Sequence, residues 1–266
     1  MSAAARGLSR LSSNPRRERF RRRDGSSRVA NELRTVDLVI FDCDGVIADS
    51  EVISATLLVR QLLPYGIRID TEYVFRNFVG KSFPVVAGII GERFGIALPS
   101  TFVGDYRAAL REAFADSLQT TPGLLDVLGQ LACPACVATS SSAPRVAHTL
   151  EAVGLTDYFG ADVFTASQVA QGKPAPDLFL FAAREMSTAP ERCLVIEDSV
   201  PGIEAALAAG MKVWRYVGGS HIADVARARG ETPADVTVFD NWDRFYVLAP
   251  ELKTRQGEHG EEQRRR

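Results

Sequence analysis

Asp42 and Asp44 lie two residues apart in Val39-Ile40-Phe41-Asp42-Cys43-Asp44-Gly45-Val46, immediately after a short apolar run. At the carboxyl end of a strand, Asp42 is placed for nucleophilic attack and Asp44 for acid–base work on a leaving group. Gly45 lets the chain turn away sharply. Three further clusters have the same form, an apolar run followed by polar chemistry. Thr139, Ser140 and Ser141 follow Ala135–Ala138, and their hydroxyls and amides suit phosphate oxygens. Lys173 stands in Gly172-Lys173-Pro174-Ala175-Pro176-Asp177 as a compact point charge for phosphate. Glu197, Asp198 and Ser199 follow Cys193–Ile196.

Taken singly, each cluster has an ordinary reading as a solvated turn or a surface lysine. Taken together they set an electrostatic problem. Two unit charges 4 Å apart interact by about 4 kcal/mol at an effective dielectric near 20. Asp42, Asp44, Asp198 and a phosphate dianion therefore repel one another unless a cation intervenes. Hard oxygen ligands and a phosphate substrate select Mg²⁺, and Lys173 cancels charge on the opposite side.

The elements that must position these residues alternate. Strand patterns over Val36–Phe41, Ala135–Ala138, Val163–Thr165, Cys193–Ile196, Lys212–Tyr216 and Val236–Phe239 are separated by helical ones such as Pro144–Val153, Pro176–Met186 and Gly202–Ala209. This predicts an α/β fold with a Rossmann-like, doubly wound parallel sheet, whose ligand sites lie at the carboxyl ends of the strands. Residues 52–119 break the alternation with continuous helical periodicity, predicting a helical cap inserted into a core of residues 35–51 and 120–250.

The order DxDG, strand-end Thr/Ser, Lys and Glu-Asp resembles the haloacid dehalogenase-like superfamily over roughly residues 36–245. Gln171-Gly172-Lys173-Pro174-Ala175-Pro176-Asp177 followed by Glu197-Asp198-Ser199 is similar to its branch of sugar-phosphate phosphatases and β-phosphoglucomutase. The resemblance implies hydrolysis of a small phosphorylated metabolite through an aspartyl-phosphate. It makes Asp42 the nucleophile and an Mg²⁺ ligand, and Asp44 the acid–base whose carbonyl also meets the metal. It puts Thr139, or Ser140 in a shifted register, on the phosphoryl group and Lys173 on phosphate and nucleophile. Asp198 becomes a metal ligand, with Glu197 in support. Asn77-Phe78-Val79-Gly80-Lys81-Ser82 looks like the substrate loop of such caps, so Gly80 and Lys81 are candidate substrate contacts. A P-loop reading of Gly80-Lys81-Ser82 fails because Phe75 stands where that motif needs glycine.

Dehalogenases resembling this fold lack the second aspartate. β-Phosphoglucomutase carries a histidine at the position matching Ser54, which favours hydrolysis here. A phosphosugar mutase and a non-catalytic phospholigand-binding protein stay open as alternatives.

Composition sets outer limits. Residues 1–34 hold ten Arg against three acidic residues, so this segment carries +7 and the remainder −9 of a net −2. An acidic body argues against nucleic-acid binding, and no apolar run is long enough for a membrane. The Arg- and Ser-rich start lacks the apolar core of a secretory signal and is expected to be disordered, as is the polar tail 251–266. Cys133 and Cys136 form a lone CxxC without partners for a zinc site, and sparse cysteine suits a reducing cytoplasm. Gly218-Gly219-Ser220-His221 reads as a simple turn, and His148 as structural. A cytoplasmic monomer is expected.

Overall fold

The computed structural model describes residues 36–254 apart from Gly80, 223–227 and 229. The terminal expectations for residues 1–34 and 255–266, and the substrate contact expected at Gly80, lie outside the described residues.

Six strands form one sheet: β1 (Leu38–Phe41), β2 (Ala135–Thr139), β3 (Val163–Thr165), β4 (Cys193–Glu197), β5 (Lys212–Tyr216) and β6 (Thr237–Phe239). Their order is β3-β2-β1-β4-β5-β6, and every pairing is parallel. Alternating side chains feed two cores, as the two-residue strand period requires. Val39, Phe41, Val137, Leu194 and Ile196 face one side with Trp242 and Phe245. Leu38, Ile40, Cys136, Ala138 and Val195 face the other. Because both faces are covered, the strands read as continuous apolar runs. The chain runs from β1 out through β2 to β3 and then crosses back to β4 on the other side of β1, so the crevice where strand order reverses opens at the end of β1.

Between β1 and β2 the chain forms α1 (Glu51–Leu62), α2 (Thr71–Asn77), α3 (Phe83–Phe94), α4 (Phe102–Ser117) and the short α5 (Leu124–Leu128). The first four bury a core of their own, with Leu58, Leu62, Ile90, Leu110 and Phe114 among its members. The linkers into and out of this unit lie side by side. Ala48 pairs antiparallel with Thr120, and Asp49 N–H donates to Gln119 O at 3.0 Å.

The sheet is completed by α6 (Ala143–Ala152) and α7 (Thr156–Phe159) before β3, α8 (Asp177–Glu185) before β4, α9 (Val200–Ala208) before β5, and α10 (Phe245–Leu248). Residues 251–254 depart from the expected tail. Leu252 is buried in the sheet core, Ala132 N–H donates to Leu252 O, and Thr254 N–H donates to Gln130 O. A single large apolar side chain anchors this segment where its polar neighbours gave no sign of order. Cys133 and Cys136 are both free, and Cys136 is buried in the sheet as a small apolar side chain. Among the described residues, no helix is long and apolar enough to cross a membrane.

Candidate active site

The four sequence clusters meet at the carboxyl edge of the sheet. Asp42 leaves β1 with its N–H donated to Ile196 O at 2.9 Å, which fixes it beside the end of β4. Lys173 reaches across from the loop after β3. Its Nζ donates to Asp42 Oδ1 at 2.5 Å, Glu197 Oε1 at 2.7 Å and Ala138 O at 3.0 Å. All three ammonium donors are thereby satisfied, and the side chain is 1% exposed. The Phe179 ring lies 4.8 Å from Nζ. Burial works against the ammonium, but Asp42 and Glu197 more than offset it and hold its pKa above the usual lysine range.

One lysine does not balance the acids around it. Asp42, Glu197 and Asp198 are all buried and can each offer one oxygen, with these atoms within 4.8 Å of one another. Desolvation pushes the Asp42 pKa well up, and Glu197 and Asp198 add to the rise against the opposing pull of Lys173. Glu197 is raised for the same first reason, burial. Asp198 Oδ2 lies 2.9 Å from His221 Nε2 and has no other polar partner among the described residues, so this buried oxygen keeps acceptor capacity for a cation. A buried, all-oxygen, net-negative donor set fits a hard divalent cation such as Mg²⁺.

Glu197 is also the most committed of the three acids. Its Oε2 accepts from Ser199 N–H at 2.8 Å and Ser199 Oγ–H at 2.9 Å, while Oε1 accepts from Lys173. The approach of α9 is so close that a Cβ at Gly202 would collide with the Glu197 carboxylate.

Asp44 faces a different set of partners. Its Oδ1 accepts from Ser50 Oγ at 2.5 Å and Arg145 Nη2 at 2.9 Å, and its Oδ2 accepts from Ser141 Oγ at 2.6 Å. Burial raises its pKa, but Arg145 and the two hydroxyls outweigh that and hold it below the ordinary aspartate value. Arg145 Nη2 also donates to Ser54 Oγ at 3.0 Å. The sequence reading missed Arg145. One signal was available: a basic residue in the first turn of α6 opposes the helix dipole and needs a compensating anion. Gly45, at φ +84°, turns the chain so tightly that a Cβ there would collide with Asp198 Oδ2.

Above this floor, between the sheet edge and the helical unit α1–α4, lies a cavity of about 730 Å³. Thr139, Ser140, Ser141 and Lys173 line its core side. Leu58, Val74, Phe78, Phe83, Tyr106, Lys81 and Arg107 line its cap side. Thr139 is buried, and its Oγ1 accepts from Ser141 N–H at 3.1 Å. Lys81 is exposed, and Ser140 is half-buried. All the described candidate residues therefore border one space, with Lys81 at its cap side.

Glu51, another residue outside the sequence motifs, also lines the cavity. Desolvation first, then Asp44, push its pKa up to about 7, against His221 and Arg145. A folded-state pKa raised above the ordinary value of 4.5 costs stability as pH climbs from 4.5 to about 7. Glu51→Gln removes that cost. The variant is expected to match the parent at pH 4.5 and exceed it by about 1–3 kcal/mol at pH 8, on urea unfolding curves of the metal-free proteins. Equal stabilities at pH 8 would show that Glu51 is not held in an unfavourable site.

The match to known proteins agrees with this geometry. The model of the haloacid dehalogenase-like hydrolases matches residues 36–210, and the chain belongs to that family. It is 30% identical over 190 residues to 6-phosphogluconate phosphatase of Escherichia coli, covering 71% of this chain and 86% of that protein. It is 33% identical over 175 residues to a fructose-1-phosphate phosphatase of the same organism, covering 65% and 92%. A family hydrolase from Deinococcus radiodurans, solved with bound phosphate and sodium, superposes with a TM-score of 0.65 at 30% identity, covering 83% of this chain and 98% of that one.

Proposed function

We propose that the protein is an Mg²⁺-dependent phosphatase acting on a small phosphorylated metabolite, a sugar phosphate, through an aspartyl-phosphate. The observation that carries this reading is Asp42, held by Lys173 beside Asp198 and Glu197 on the floor of a cap-covered cavity. The Asp42 carboxylate attacks phosphorus in line. Its new O–P bond forms as the ester O–P bond breaks, and Asp44 gives its proton to the departing alkoxide. Asp44 then takes a proton from the water that attacks phosphorus, and inorganic phosphate leaves as Asp42 is regenerated. Arg145, Ser50 and Ser141 aim Asp44 and favour its ionised form, which serves the second step and works against the proton transfer of the first.

Asp42, Asp198 and the Asp44 carbonyl would hold Mg²⁺, with Glu197 in support; the ion supplies positive charge against the phosphate dianion and the carboxylates. Lys173 orients Asp42 and neutralises a phosphate oxygen, and the hydroxyls of Thr139 and Ser140 receive the others. Much of the acceleration comes from positioning and fixed charge in a water-poor site. Lys81 meets the distal part of the substrate.

The named activities of the two Escherichia coli relatives support a sugar phosphate. Ser54 supports hydrolysis over mutase chemistry: its hydroxyl accepts from Arg145, and no imidazole stands there to shuttle protons at a second sugar hydroxyl. Phosphate release should be measured on a panel of phosphorylated sugars and sugar acids beside an aryl phosphate, with Mg²⁺ or with EDTA. Mg²⁺-dependent release, fastest for one sugar phosphate, is the expected outcome. A folded, metal-loaded protein that frees no phosphate but isomerises a phosphosugar would replace the phosphatase by a mutase.

A further inference from the structure

The loop after β5 carries Gly218-Gly219-Ser220-His221, residue types that by themselves suggest nothing beyond a turn. The sheet order changes that. Because β5 pairs with β4 in the register Glu197↔Arg215, the chain beyond Tyr216 emerges next to Asp198. The loop then packs without room to spare. A Cβ at Gly219 would press on the His221 ring and on Gly45 O, and one at Gly45 would meet the same imidazole as well as Asp198. Three segments, the Asp42–Gly45 turn, the Glu197–Asp198 strand end and this loop, thus converge on one side chain.

His221 is buried, with its Nε2 2.9 Å from Asp198 Oδ2 and both side chains 6% exposed or less. Its Nδ1 is buried and has no hydrogen-bond partner among the described residues, where Asp198 is the polar contact that this imidazole makes. On the other side the ring of Phe75, from α2 of the cap, packs on the imidazole with centroids 6.0 Å apart. The loop is also tied to the linker that leads into the cap. Ser220 N–H and Oγ–H both donate to Asp49 Oδ1, at 3.0 and 2.7 Å.

We propose that His221 is a positioning residue for the cation site, holding the Asp198 carboxylate in its ligating orientation from beneath the cap residue Phe75. The proposal rests on the reading of Asp198 as a cation ligand. A carboxylate with one oxygen held by a buried ring loses rotational freedom before the cation arrives, and partners of this kind tune metal affinity about 10–100-fold.

The test is direct binding of Mn²⁺, followed by the loss of its free electron-paramagnetic-resonance signal, to the parent, His221→Leu and His221→Gln. The Mg²⁺ concentration giving half-maximal phosphate release is measured beside it. His221→Leu is expected to weaken Mn²⁺ binding about 10–100-fold and to shift the Mg²⁺ requirement by the same factor, with activity recovering at high Mg²⁺. His221→Gln keeps an N–H donor near the Nε2 position and is expected to recover most of the affinity. Should the leucine variant not fold, His221→Asn, whose shorter side chain falls short of Oδ2, replaces it and is expected to bind Mn²⁺ weakly. Mn²⁺ affinities within twofold of the parent in every folded variant would overturn the role of His221 alone. No Mn²⁺ binding by the parent would overturn the cation site as well.

Discussion

Asp42→Asn is expected to reduce phosphate release by at least about 10³-fold while leaving the fold intact or firmer. An amide is a poor nucleophile, and removing the attacking group of an enzyme that works through a covalent intermediate costs on this scale or more. The same substitution relieves the site electrostatically. Burial, Glu197 and Asp198 push the Asp42 pKa up, so its ionised form costs stability at neutral pH and the amide carries no such cost. Lys173 keeps Glu197 and Ala138 O as partners. Single-turnover rates and urea unfolding of the metal-free proteins check both halves. A variant that is inactive because it is unfolded would argue that Asp42 is structural, and one that still turns over would remove it from the chemistry.

Lys173→Met is expected to lose on both counts. The methionine fills a similar volume but leaves Asp42 and Glu197 buried against each other without their cation. Removing one member of a buried ion pair costs about 3–5 kcal/mol, most of it from the charges left uncompensated. That loss should shrink as pH falls, because protonated carboxylates need no counter-charge. Activity should fall by about 10²–10³-fold, the scale for deleting one fixed donor at a reacting centre. Lys173→Arg should restore part of the stability and little of the rate, since a planar fork cannot address three acceptors arranged around a single ammonium. Full activity in Lys173→Met would show that the lysine neutralises the core and takes no part in the reaction.

The floor of this site was legible because each of its residues ends or follows a buried strand. Asp42, Thr139, Glu197 and Asp198 inherit their placement from apolar runs that announce themselves, and the order of the strands then brings them to one edge. Lys173 was legible from the stiff Pro-bracketed loop that carries it. The support of Asp44 was not, because its partners come from distant points of the chain. Ser50 lies 6 residues away, Ser141 97 and Arg145 101, and only closure of the sheet brings the last two to it. His221 was hidden for a related reason: the residue types Gly218, Gly219 and Ser220 describe a turn, whereas its neighbours are set by β5 lying beside β4. Leu252 shows the same limit at the C-terminus, where one buried side chain orders a segment of tail-like composition.

The aspartyl-phosphate is trapped by quenching the enzyme in acid during turnover with Mg²⁺ and its best phosphorylated sugar, then reducing with borohydride, which converts an aspartyl-phosphate to homoserine. Homoserine is expected at position 42 in samples with substrate and Mg²⁺, and none when either is withheld. Phosphate release at an unchanged rate by Asp42→Asn, or homoserine at a different position, would overturn this mechanism.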